Sequence, residues 1–133
     1  MKELKKELNV SLEEKYAIIL KVFSAIKPYS LLRNSEKERE VLVELFKIYN
    51  SNLALDENKR NRLVFDYYAI QDIAEKIGVS KNRLSIIITS LMEKGFVYRN
   101  ENNKRMMNPK YVIPEDLEII TFKFKKEDNG ESR

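Results

Sequence analysis

The stretch Asp72–Phe96, DIAEKIGVSKNRLSIIITSLMEKGF, has the rhythm of a short helix, a hinge and a longer helix. Ala74 is small where two helices would cross closely. Gly78 tolerates the positive φ that ends many helices. Val79 plugs the corner, and Ser80 offers a hydroxyl to cap the helix that follows. Leu84, Ile87 or Ile88, and Leu91 share one side of that second helix, with Met92 nearby and Gly95 as its stop. Each signal alone is weak, but at mutually consistent spacing they reinforce one another. Ile86-Ile87-Ile88 breaks the pattern. Successive helical residues point about 100° apart. Ile87 and Ile88 can therefore share a core that Ile86 cannot easily join.

Working outward, Ile70, Ile73, Ala74 and Ile77 mark the buried side of the first hinged helix. Upstream, Leu63-Val64-Phe65-Asp66-Tyr67-Tyr68 is β-branched and aromatic and suits a short strand. Residues 51–62 are expected to form a polar connection ending in Lys59-Arg60-Asn61-Arg62, which reads as a solvated loop before it reads as a phosphate contact. Ser35-Glu36-Lys37-Glu38 looks like a capping box that opens a helix carrying Val41, Leu42, Leu45, Phe46, Ile48 and Tyr49. Ser11 and Glu14 form another, opening a helix to about Lys27, where Pro28 stops it. That helix has two apolar stripes. One runs through Leu12, Tyr16, Ile19, Phe23 and Ile26; the other through Ile18, Val22 and Ala25. The pair suits either packing beneath the domain or contact with a second copy. Residues 1–10 suggest a flexible or helical arm, with Leu4 and Leu8 on one side.

Downstream, Phe96-Val97-Tyr98-Arg99 reads as a strand, Asn100–Asn103 as a turn and Lys104–Met107 as the return strand. Asn108-Pro109 closes the hairpin. Leu117–Phe124 alternates well enough for a last strand, with Ile120, Phe122 and Phe124 on one face. The charged residues 125–133 read as a disordered tail. The order is helix, strand, helix, turn, helix, hairpin. We therefore expect a mainly α fold with a small antiparallel β-sheet, a winged helix-turn-helix with an extra N-terminal helix and a C-terminal strand. One domain is expected over 11–124, with the helix-turn-helix at about 70–94 and the wing at about 96–107.

Composition removes several function classes. Hydrophobic residues make up 43% and charged residues 35%, which suits a globular chain. Cysteine and histidine are both absent. Disulfides, thiolate metal sites and the commonest general base go with them. Three glycines cannot build a Gly-rich phosphate loop. The carboxylates are scattered over helix faces beside lysines. We therefore expect no catalytic residue, no metal, no cofactor and no enzyme activity. No apolar run reaches the length of a membrane span, and Met1–Lys6 has no hydrophobic stretch behind it. A cytoplasmic protein of a bacterium or phage-infected cell is expected. Tyr67–Lys110 carries eight positive and four negative residues, which matches the whole chain's net charge of +4.

The segments SEKEREVLVEL and IQDIAEKIGVSKNRLSIIITSLMEKGFV resemble winged-helix regulators of the MarR type. The ending RMMNPKYVIP, followed by EIITFKF, is similar to small winged-helix proteins of phages and to plasmid replication proteins of the RepL type. The resemblance covers roughly 35–124. It implies binding of double-stranded DNA by Lys81–Lys94, with the 96–107 hairpin as the wing, in transcription control or replication initiation.

In such proteins the first turn of the second helix meets bases and phosphates. Here that turn offers Lys81, Asn82 and Arg83, with Ser80 at its start. Asn82 has the paired donor and acceptor that suit adenine, and Arg83 suits guanine. Ser85 and Thr89 can touch phosphates or bases, and Ile86 can meet thymine methyls. Arg99, Lys104 and Arg105 would grip phosphates or a minor groove from the wing. Cations also guard edge strands against aggregation. Tyr67, Tyr68 and Gln71 sit where phosphate contacts form; the tyrosines would serve equally as core residues. The charge is modest, so a homodimer is expected. Ile86 keeps a second class open: a protein-interaction module that docks a partner through the Ile86 face or the N-terminal helix.

Overall fold

The computed structural model describes residues 2–126. Five helices and one hairpin follow in order: α1 Leu12–Val22, α2 Glu36–Ser51, α3 Glu57–Val64, α4 Tyr67–Ile77, α5 Lys81–Glu93, β1 Val97–Arg99 and β2 Arg105–Met107. The two strands pair antiparallel, with Val97 opposite Met107 and Arg99 opposite Arg105. This is a winged helix-turn-helix: mainly helical, with one small antiparallel sheet. Among the described residues no helix is long and apolar enough to cross a membrane.

The core gathers one stripe from each helix. Tyr16, Ile19 and Leu20 of α1 meet Val41, Leu42, Leu45, Phe46 and Tyr49 of α2. Val64 of α3, Ile73 and Ala74 of α4, and Leu84, Ile87, Ile88 and Leu91 of α5 complete the same cluster. Phe96, Val97 and Met107 bring the hairpin into it. The hinge matches its expected chemistry. Gly78 has φ +80° and Gly95 φ +91°, a region most side chains resist. The Ser80 hydroxyl accepts the Arg83 N–H at 3.0 Å and starts α5.

The N-terminal third departs from expectation in several places. The Ser11–Glu14 capping box forms, but α1 stops at Val22 in a 3-10 turn, Phe23–Ala25, before Pro28 is reached. The second apolar stripe is uncovered: Ile18, Val22 and Ala25 are exposed, and so is Ile26 at the end of the first. Residues 2–10 form no helix, and Leu4 and Leu8 are exposed. Ser35 makes no side-chain cap. Glu38 is drawn away instead. It accepts from Ser90 Oγ on α5 at 2.9 Å and pairs with Lys94 at the end of that helix.

The largest correction lies between α2 and α4. The expected connection 51–62 and strand 63–68 are replaced by a short turn and α3. Two aspartates cause this. Asp56 caps α3 by accepting the Lys59 N–H at 2.9 Å, and Asp66 caps α4 by accepting the Ala69 N–H at 2.7 Å. The first hinged helix therefore begins at Tyr67, inside the expected strand. With no strand there, the outer edge of β2 takes another partner. The Met107 N–H donates to Oδ1 of buried Asn61 at 2.6 Å, and Asn61 Nδ2 donates to the Glu57 carbonyl at 2.8 Å. One side chain does the work of a ladder bond. Arg60 holds the preceding turn by donating to the carbonyls of Asn52, Leu53 and Leu55.

The expected last strand, 117–124, is absent. That segment has no regular structure, although Ile120 is half-buried and Phe122 touches Phe23 with ring centres 6.4 Å apart. Phe124 is 96% exposed, so the three residues share no covered face. Alternation alone cannot make a strand without a free edge to pair with. Of the expected tail, Lys125 and Lys126 lack regular structure, and 127–133 lies outside the described residues.

Candidate nucleic-acid interface

Helix α5 buries Leu84, Ile87, Ile88 and Leu91 and turns its other side outward. Asn82, Arg83, Ser85, Ile86 and Thr89 are all exposed, and Ile86 keeps 61% of its surface in water. The N-terminal helices do not cover this side. Ile86 sits mid-face, flanked by polar groups at helical spacing. Such a strip presents hydrogen-bonding groups and one apolar contact together.

Lys81 is held at the start of α5. Its ammonium donates to the Tyr67 hydroxyl at 2.7 Å and stands 3.9 Å from the centre of that ring. Tyr67 in turn meets Tyr68 edge-on, with ring centres 5.6 Å apart. Both tyrosines are exposed, 63% and 76%, so neither is a core residue. Tyr67 thus positions a cation beside the N-terminus of α4. The sequence placed Tyr67 beside Tyr68 as a candidate phosphate contact but gave no sign of its pairing with Lys81, which spans the hinge and is invisible to local spacing. Gln71 is half-buried one turn further along α4. Ser80 has a structural task already, as the cap of α5.

The wing is tied to α5. An Arg105 Nη donates to Ser85 Oγ at 3.2 Å, which leaves the Ser85 hydroxyl proton free to donate outward. Asn100 builds the turn, its Oδ1 accepting the N–H groups of Asn102 and Lys104 at 2.9 and 3.0 Å. Asn103 occupies the left-handed region at φ 61°. Arg99 donates to the Asn103 carbonyl at 3.0 Å. Arg99 and Arg105 face each other across the ladder, and like charges so placed repel. Burial, and then the Arg99 charge, lower the Arg105 guanidinium's affinity for its proton.

Cations divide by partner. Lys76 binds Glu13 and Glu44 at 2.9 and 3.0 Å, and Lys94 binds Glu38. That network pushes Glu13 down to about 2, chiefly through its hydrogen bond to Lys76. Two of the eight positive residues counted in Tyr67–Lys110 are therefore neutralised by carboxylates from α1 and α2. Among the described residues, Lys81, Arg83, Arg99, Lys104 and Arg105 form no salt bridge. Lys81 and Arg83 stand on the first turn of α5, Arg105 reaches Ser85 on it, and Arg99 and Lys104 lie on the wing with Arg105. Among the described residues, no cluster of acidic side chains could hold a metal ion.

A helix-turn-helix with a cationic wing is the class of structure this geometry defines. Consistently, the family model described as "Sugar-specific transcriptional regulator TrmB" matches residues 66–113. The match begins at the cap of α4, spans α5 and the wing, and ends just past the hairpin. That segment is similar to part of a helix-turn-helix family of DNA-binding transcription regulators. It agrees with the winged-helix resemblance without singling out the MarR or RepL type. No curated protein and no solved structure matches the chain.

Proposed function

We propose that this protein binds double-stranded DNA and regulates transcription, with α5 in the major groove and the wing on the flanking backbone or minor groove. The observation that carries the proposal is the exposed α5 side, with Lys81 and Arg83 on its first turn and Arg105 of the wing at Ser85, cations free of salt bridges among the described residues. Asn82 and Arg83 face bases from the first turn, Thr89 and Ile86 offer methyl groups to thymine, and Ser85 donates to phosphate. Lys81, Tyr68 and Gln71 meet the backbone near the start of α4, and Arg99, Lys104 and Arg105 grip it from the wing. The TrmB-type likeness of 66–113 favours transcription control over replication initiation in a phage or plasmid setting. The working unit in this proposal is 11–124, acting in the cytoplasm as a homodimer. Two copies offset the modest charge of one, because each phosphate contact adds little affinity alone.

The exposed Ile86 also favours a second reading, a docking surface for another protein. Selecting duplexes from a random pool and then testing Ile86→Glu separates the two. A carboxylate in the major groove repels phosphate, so the proposal expects affinity for the selected duplex to fall at least about tenfold. Duplex affinity unchanged by Ile86→Glu would leave this side of α5 to a protein partner.

A further inference from the structure

Helix α3 stands where a third strand was expected, and it creates a groove the sequence did not suggest. Asn58 and Arg62 of α3 line one side, and Arg99, Lys104 and Arg105 of the wing line the other. Asp66 also borders it, but its carboxylate caps α4 by accepting from the Ala69 N–H at 2.7 Å. Among the described residues none of these four cations forms a salt bridge. The spacing of the walls is fixed by the buried bond from the Met107 N–H to Asn61, which fastens β2 to α3. Arg105 also reaches Ser85 on α5, so the groove continues the α5 surface.

We propose that this groove seats the sugar-phosphate backbone of the duplex bound by α5, with Arg62 of α3 as its outer contact. The proposal rests on the DNA-binding reading above and extends the footprint past the wing. Three features select a phosphodiester backbone. Guanidinium groups on both walls match phosphate oxygens, which they can grip with paired N–H donors. The amide of Asn58 can donate to a phosphate or a sugar oxygen. The facing Arg99 and Arg105 repel one another until an anion lies between them.

Fluorescence anisotropy on a selected duplex, in long and flank-trimmed forms, tests this. One lost phosphate contact makes the salt slope shallower by about 0.9. Between about 50 and 200 mM salt, the natural chain should therefore lose about 3.5-fold more affinity for the long duplex than Arg62→Ala does. The difference should vanish on the trimmed duplex, and Arg62→Lys should restore most of it. Arg62 is exposed, so Arg62→Ala should melt with the natural chain. Arg62→Ala with the natural salt slope on the long duplex overturns the groove assignment alone. So does an equal loss on both duplexes, which would place Arg62 at the α5 site. A natural chain that binds no duplex at low salt overturns the DNA reading as well.

Discussion

Asn61→Leu should destabilise the fold by about 3 kcal/mol, the largest effect expected from any polar position here. Asn61 is 1% exposed and holds three groups at once. It accepts from the Met107 N–H and donates to the carbonyl and a carboxylate oxygen of Glu57. Leucine has the same branching and the same number of side-chain heavy atoms and is bulkier, so no cavity opens. The cost arises because a buried N–H on β2 loses its acceptor with no water to replace it. For a chain of this size the melting temperature should drop by about 10 °C. The Met107 amide should also exchange with solvent much faster, whereas an amide inside α5 should change only with global stability. Stability within about 0.5 kcal/mol of the natural chain would show that β2 does not depend on this bond.

The triple change Arg99→Ala, Lys104→Ala, Arg105→Ala should weaken duplex binding on the order of several hundredfold at about 100 mM salt. A phosphate contact contributes about eightfold there, measured against about 1 M salt, and three contacts compound. The loss should be similar for every duplex if, as proposed, the wing cations grip phosphates, which carry no sequence information. Asn82→Ala and Arg83→Ala should behave differently, reordering which duplexes are preferred. Lysine at both wing arginine positions should keep much of the affinity. A triple variant that binds within about threefold of the natural chain would return these cations to the role of edge-strand guards.

The hinge was legible because its demands are local. Positive φ at Gly78, a small residue at Ala74 and a cap at Ser80 each follow from one residue and its neighbours. The wing was legible for the same reason: strand, Asn-rich turn and return strand lie within a dozen residues of one another. The end of α3 and the start of α4 were hidden by composition. Phe65, Tyr67 and Tyr68 carry β propensity, yet Asp66 between them is a helix cap, and tertiary packing overrides the propensity. The signal that could have exposed them was the pair of aspartates, Asp56 and Asp66, each three residues before the N–H it accepts. Glu38 was misassigned because its partners, Ser90 of α5 and Lys94 just past its end, are remote in sequence. The same distance effect inflated the local charge, since the carboxylates that neutralise Lys76 lie on α1 and α2. At the site, Lys81, Asn82, Arg83, Ser85, Ile86 and Thr89 could be named from helical spacing alone. The pairing of Tyr67 with Lys81 and the place of Arg62 opposite the wing could not, because what these side chains face is set by the fold.

An amide chemical-shift map during titration with a duplex of about two helical turns tests the central claim most directly. The largest changes should fall on residues 80–89 and 99–105, and they should fade as salt rises. Changes centred instead on Ile18, Val22 and Ile26, or none at low salt, would contradict the assignment of α5 and the wing to DNA.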